Sequence, residues 1–199
     1  MTYEVVHFRE AETILRNKNM EQEIKDVLDC IDQDLHERFY RVTILKQTLD
    51  YLGWRDNGDI PILEGRRYAF KGMRNRVAIE AALTNYEAIL DALFRLQVGY
   101  DKGEIDLGIV LLTAQRSSRS PLGDNRELVK KEVESLYPTI SLPVIIALMD
   151  LGTPQCISAE NGGFEEKEKA RTEGHLDAEN GESQEKEVSS DERQPEHVG

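Results

Sequence analysis

The sequence predicts a mixed α/β fold: a β-sheet flanked by helices, followed by a disordered acidic tail. Three observations predict it. Residues 105–113 and 142–151 are continuously apolar, the composition of strands buried on both faces. Before and between them, apolar residues recur at three-to-four spacing, the period of helices with one buried side. From Ser158 to Gly199 the chain turns to Glu, Ser, Gly and Gln, with Phe164, Leu176 and two valines as almost its only large apolar residues. Such a segment buries too little surface to offset its conformational entropy.

Each element follows in order. Residues 2–8 alternate enough for a short strand or an extended arm. Helical spacing appears in residues 10–15 and again in 20–31, where Ile24, Val27, Leu28 and Ile31 share a face. Residues 33–52 read as a third helix, with Leu35, Phe39, Val42, Leu45, Leu49 and Leu52 on one side and Gly53 as its stop. These stripes are core or interface rather than a cofactor box. Residues 55–65 form a polar loop carrying Asp59, Pro61 and Glu64. A strand is expected over 66–71, a turn at Gly72, and a second strand over 75–83. Residues 85–100 read as a helix whose broad stripe holds Tyr86, Ile89, Leu90, Leu93, Phe94 and Leu96. After Gly103 come the apolar strand 105–113, a Ser/Arg/Gly/Pro loop over 116–124, a helix over 125–137 and the strand 142–151. That succession builds a mixed sheet with helices packed on its faces.

Composition sets bounds on function. The 199 residues suffice for one domain with a real core, residues 1–155, plus the tail, 156–199. No run approaches a membrane span and no signal peptide opens the chain, so no membrane association is expected. Two cysteines, Cys30 and Cys156, are no disulfide framework, and an intracellular, cytoplasmic protein is the expectation. Four scattered histidines with no close Cys/His spacing argue against a structural zinc site. The net charge of −13 counts against nucleic acid, because duplex affinity rests on basic residues neutralising phosphates. The tail holds 13 acidic and 5 basic residues, a net of −8, which leaves −5 for the domain. A mildly acidic domain is still able to present a basic cleft.

The most informative residue is Glu80. On the period-2 reading of its strand, Val77, Ile79, Ala81 and Leu83 line one face, and Ala78, Glu80 and Ala82 the other. An ionised carboxylate between two alanines on a buried strand costs several kcal/mol, on the order of the penalty for an unpaired charge, unless a cation or strong donors meet it. Glu80 therefore sits at a solvated edge, pairs with a cation such as an arginine or Lys71, or serves a site. Asn85, just beyond the strand, suits a helix N-cap by its chemistry alone.

The wider pattern carries a resemblance. Arg76-Val77-Ala78-Ile79-Glu80, then Asn85-Tyr86, an amphipathic helix, and Gly103-Glu104-Ile105-Asp106-Leu107-Gly108-Ile109 resemble the BglII/BstYI/BamHI group of type II restriction endonucleases. The opening residues 1–17, the helical piece ending Val27-Leu28-Asp29-Cys30-Ile31-Asp32, and Gly53-Trp54 after a helix agree with it. The similarity spans roughly residues 1–152 and is most specific between Arg76 and Leu112. It implies a restriction-endonuclease-like α/β core and a homodimer that binds double-stranded DNA at a short palindrome with a GATC core. It also implies magnesium-dependent phosphodiester hydrolysis.

By that resemblance Glu80 is the metal-binding, catalytic glutamate, and the backbone carbonyl of Ala81 is a further metal ligand. Asn85 contacts target bases. Arg116, Ser117, Ser118, Arg119 and Ser120, with Asp124, Asn125 and Arg126, belong to the segment that reaches the major groove. The helix after Asn85, with Leu93 and Leu96 on its stripe, pairs two subunits across a twofold axis. Two departures stand against an efficient nuclease. Ala82 occupies the second side-chain position of the motif and has nothing to orient water. The upstream acid is missing where Tyr68, Ala69, Phe70 and Lys71 stand, leaving Glu64, and less well Asp59, to complete the catalytic and metal set. The alternative to a restriction endonuclease is accordingly a catalytically inactive homologue that binds DNA or acts as a homodimeric interaction module.

Overall fold

The computed structural model describes residues 3–55, 61–63, 65–66, 68–114 and 125–154, with Asn125 described by its backbone alone. Strands β1 (Tyr3–Phe8), β2 (Gly72–Arg74), β3 (Val77–Ala82), β4 (Leu107–Thr113) and β5 (Val144–Met149) form one sheet in the order β1-β5-β4-β3-β2. The three central strands β5, β4 and β3 are parallel, and an antiparallel strand closes each edge. The sheet is thus mixed, as the order of sequence patterns predicts.

Helix α4 (Ile89–Asp101) crosses from β3 to β4 and α5 (Asn125–Ser135) from β4 to β5. Both cover the sheet face that carries Ala78, Ala82, Val110, Leu112 and Ile146. The opposite face, with Val77, Ile79, Ile109, Leu111 and Ile145, is covered by α1 (Ala11–Lys18), α2 (Glu21–Leu35) and α3 (Arg41–Tyr51). Period-2 alternation along β3 therefore sorts its side chains between two separate cores. Helix α4 lies close against β4 because Gly108 has no side chain. A Cβ there would stand 2.8 Å from Leu96 and 2.9 Å from Leu142. Among the described residues, no helix is long and apolar enough to cross a membrane.

Several boundaries differ from the sequence expectation. Residues 33–52 are not one helix: α2 ends at Leu35 and α3 begins at Arg41. Glu37 and Tyr40 take left-handed backbone, and the Glu37 N–H and the Arg41 guanidinium donate to carbonyls of Leu151 and Gly152. The shared stripe misled because Phe39 and Val42 are exposed, while Leu45 and Leu49 return to the core. The expected strand 66–71 and turn at Gly72 are also displaced. Gly72–Arg74 is the strand β2, and the turn falls at Asn75 and Arg76, both with positive φ. Ala69 makes only an isolated bridge to Pro61. The helix expected over 85–100 opens with a single 3-10 turn at Tyr86–Ala88 before α4 begins.

Candidate active site and nucleic-acid interface

Glu80 lies on β3 between Ala78 and Ala82, facing α4, and is 1% exposed. It is not at a solvated edge. Two cations meet it instead. Arg95 of α4 brings Nη1 to 4.0 Å from Glu80 Oε2, while its Nη2 holds Asp91 at 2.8 Å and its guanidinium lies 5.8 Å from the Tyr68 ring centroid. Lys71 acts on Glu80 through its charge. It directly precedes β2, whose Gly72 pairs with Ile79, and its N–H donates to the Ile79 carbonyl, which keeps this residue beside the segment of β3 that carries Glu80. Glu80 Oε1 has no hydrogen-bond partner among the described residues. Burial pushes the Glu80 carboxyl up to about 7, against the opposing charges of Lys71 and then Arg95 and a smaller pull from the Ala81 N–H, with Asp91 adding to the rise.

A cavity of about 200 Å³ opens beside this cluster, between α3 and α4. Leu45 and Leu49 form its apolar wall, and Lys46, Arg55, Lys71 and Arg95 bring four cationic side chains to it. Arg55 is fixed there by Asp50, at 2.7 Å, and by the Lys71 carbonyl, at 2.9 Å. Phe70 packs against Gly99 of α4, where a Cβ would lie 2.6 Å from Phe70 Cζ. That close approach holds the segment leading into Lys71 against the helix that carries Arg95.

The described residues do not fit a divalent metal. A hard cation such as magnesium takes about six oxygen ligands in octahedral geometry, several of them anionic or water. Glu80 supplies one carboxylate, the Ala81 carbonyl is the second donor the resemblance implies, and Ala82 is a buried core residue. Of the charges that act on Glu80, Lys71 and Arg95 are cations that repel a metal ion, and Asp91 is paired with Arg95 at 2.8 Å. No group of three His, Cys, Asp or Glu able to hold a metal occurs among the described residues. Glu64 and Asp59, the acids expected to complete the set, lie outside those residues.

The expected DNA-reading residues divide in the same way. Asn85 is exposed at the end of β3, and its Oδ1 accepts from the Glu87 N–H at 3.0 Å, the capping role its chemistry suggests. Arg126 is exposed in the first turn of α5. Arg116, Ser117, Ser118, Arg119, Ser120 and Asp124 lie outside the described residues, as does the Asn125 side chain. β3 and β4 are parallel with Ala82 opposite Leu112, so the chain leaves both strands, toward Asn85 and beyond Ala114, at one end of the sheet.

The motif residues at the opposite end are structural. Arg76 grips Asp106 with Nε at 3.0 Å from both carboxylate oxygens and Nη2 at 2.6 Å from Oδ1, and Lys18 adds a contact of 2.8 Å. The pair clamps the starts of β3 and β4 to α1 and holds the Asp106 carboxyl down at about 2. Sequence reasoning missed Arg95. Its signal was a cation in line with Ala88, Ala92 and Gly99, the small-residue side of the helix that crosses over Glu80.

Comparison with known proteins agrees with this architecture. Comparison with curated sequences gives no match. Among solved structures, restriction endonuclease BglII complexed with a DNA 16-mer is similar at 16% identity and a TM-score of 0.57, over 75% of this chain and 76% of that one. Free BglII gives 16% identity and a TM-score of 0.48, over 75% and 79%. At such identity the likeness is one of fold. The family model for restriction endonuclease BglII/BglIII matches residues 3–149, the whole sheet and its covering helices. The chain belongs to the BglII/BglIII restriction endonuclease family.

Proposed function

We propose that this chain binds duplex DNA as a symmetric dimer and that its phosphodiester hydrolysis is slow or absent. Enzymes of this family are DNA-binding nucleases that generally use a divalent metal. The observation that carries the reading is the surroundings of Glu80: the motif glutamate is kept, but it faces Lys71 and Arg95, with Ala82 where a water-orienting side chain is needed. Losing a group that positions or accepts a proton typically lowers a rate by roughly 10²–10⁴-fold. The binding half rests on the family, on Asn85 at the end of β3, and on the arginines of the segment after β4.

The test pairs binding with cleavage. A methylation-free plasmid and labelled duplexes carrying GATC palindromes are incubated with the protein and magnesium. Binding is expected to weaken as salt rises and when Arg116 or Arg119 is replaced by alanine, each such phosphate or base contact contributing to the salt slope or to sequence preference. Little or no cleavage is expected. Efficient cleavage, abolished by Glu80→Ala, would overturn the slow-nuclease reading and assign Glu64 or Asp59 to the metal. Absence of binding to any duplex at low salt would remove DNA altogether and leave a homodimeric interaction module.

A further inference from the structure

We infer that Lys71 and Arg95 take over the electrostatic role of a divalent cation in DNA binding, by neutralising Glu80 and seating a backbone phosphate in the adjoining cavity, so that this chain binds duplexes without metal. The inference rests on the DNA-binding reading above. A phosphodiester brought beside a buried carboxylate meets like charge in a poorly screened setting, where repulsion is much stronger than in bulk water. In a metal site the bound ion removes that repulsion. Here the described residues around Glu80 do not suit a metal, yet Arg95 stands 4.0 Å from its carboxylate and the charge of Lys71 acts on it as well.

Both cations also line the cavity of about 200 Å³, together with Lys46 and Arg55. No acidic side chain is among the described residues lining it, and a phosphate group is small enough to enter such a space. Arg95 is well prepared for this part. Asp91 holds one end of its guanidinium, its guanidinium carbon lies over the Tyr68 ring at 5.8 Å, and Glu80 lies at 4.0 Å, so little side-chain freedom remains to be lost when an anion arrives. Lys71, just before β2, is placed by its N–H bond to the Ile79 carbonyl, and the packing of Phe70 on Gly99 keeps this end of the strand against α4. Two elements thus converge two cations on one carboxylate and one cavity.

Fluorescence anisotropy of a labelled GATC duplex and of a pooled random duplex tests this, in EDTA and in calcium, with thermal melts of each variant to check folding. The native protein is expected to bind with dissociation constants equal within about twofold in the two buffers. Lys71→Gln and Arg95→Gln are each expected to weaken metal-free binding by about tenfold, the scale of losing one charge-assisted contact. Lys71→Arg, which keeps the charge, is expected to retain it. Lys71→Gln combined with Glu80→Gln is expected to regain part of the loss, because removing the carboxylate removes the repulsion that Lys71 offsets. Binding that appears only in calcium, or tightens tenfold with it, overturns the inference while leaving DNA binding intact. Folded Lys71→Gln and Arg95→Gln variants that bind like the native chain overturn it equally. Failure of the native protein to bind either duplex in either buffer overturns the DNA-binding reading itself, and the inference with it.

Discussion

Glu80 is held by charge and yet destabilised by burial, and the two effects have different pH dependence. Its carboxyl is raised to about 7, mainly by desolvation, despite Lys71 and Arg95. A raised carboxyl pKa means that the folded state holds a proton which the unfolded chain has already released above about pH 4.5. Folding stability contributed at this residue is therefore greatest at low pH and declines as pH rises from about 4.5 to about 7. Glu80→Gln keeps the shape and removes the titration. The variant's advantage over the native chain is expected to grow across that interval and level off at about 3 kcal/mol above pH 7. Denaturant melts at pH 4.5, 6 and 8 check it, and a stability difference that stays flat with pH would count against the buried, under-satisfied carboxylate described here. Asp106, clamped by Arg76 and Lys18, shows the opposite arrangement: its carboxyl is held low by hydrogen bonds and keeps its charge through the same range.

At the scale of the element, α4 has two apolar faces with different fates. Ile89, Ala92, Leu93 and Leu96 are buried against the sheet, so Leu93 and Leu96 are core residues rather than the subunit contact the sequence suggests. Leu90 and Phe94, one turn apart, point outward at 54% and 62% exposure. An outward pair of large apolar side chains at i, i+4 is the pattern of a helix that meets a second helix. We propose that these two residues form the centre of a twofold contact. Burying one such side chain is worth roughly 1.5–3 kcal/mol, and a symmetric contact buries four. Replacing both with glutamate is therefore expected to weaken association by roughly a thousandfold or more and to leave the fold intact. Sedimentation at micromolar concentration should show a native dimer and a variant monomer of unchanged circular dichroism. A native protein that sediments as a monomer removes the contact from consideration.

For the whole molecule, the division falls at residue 155. The unit from Met1 to Gln155 contains the described sheet, its helices and both cores, and Cys156–Gly199 forms a separate unit. The composition of that second unit, 13 acidic and 5 basic residues with few large apolar side chains, offers no core of its own. A chain ending after Gln155 is expected to melt within about 1–2 °C of the full chain, since the composition of the later residues offers little apolar surface to bury. It is also expected to bind duplex DNA more tightly at low salt, because a net charge of −8 is removed from the protein. A marked drop in melting temperature would show that the acidic segment packs on the domain.

The sequence by itself determined the mixed α/β class, the central strands and their covering helices, and which face of β3 Glu80 would occupy, and it put Ala82, with no polar side chain, two residues after Glu80. These are local properties: alternation, spacing and residue chemistry act over neighbours in the chain. It also exposed the family through the segment from Arg76 to Leu112, in which Arg76 and Asp106 clamp the starts of β3 and β4. Lys71 was among the candidate partners of Glu80 in the sequence, but only the tertiary structure chose between the readings and brought in Arg95. Lys71 acts from the residue before β2 and Arg95 by the crossing of α4, and that second partnership is not a matter of sequence spacing. The same holds for the break between α2 and α3, where carbonyls of Leu151 and Gly152, more than 100 residues away, capture Glu37 and Arg41. Charge compensation across elements depends on distance in space, and that distance is created only when the sheet and its covering helix pack.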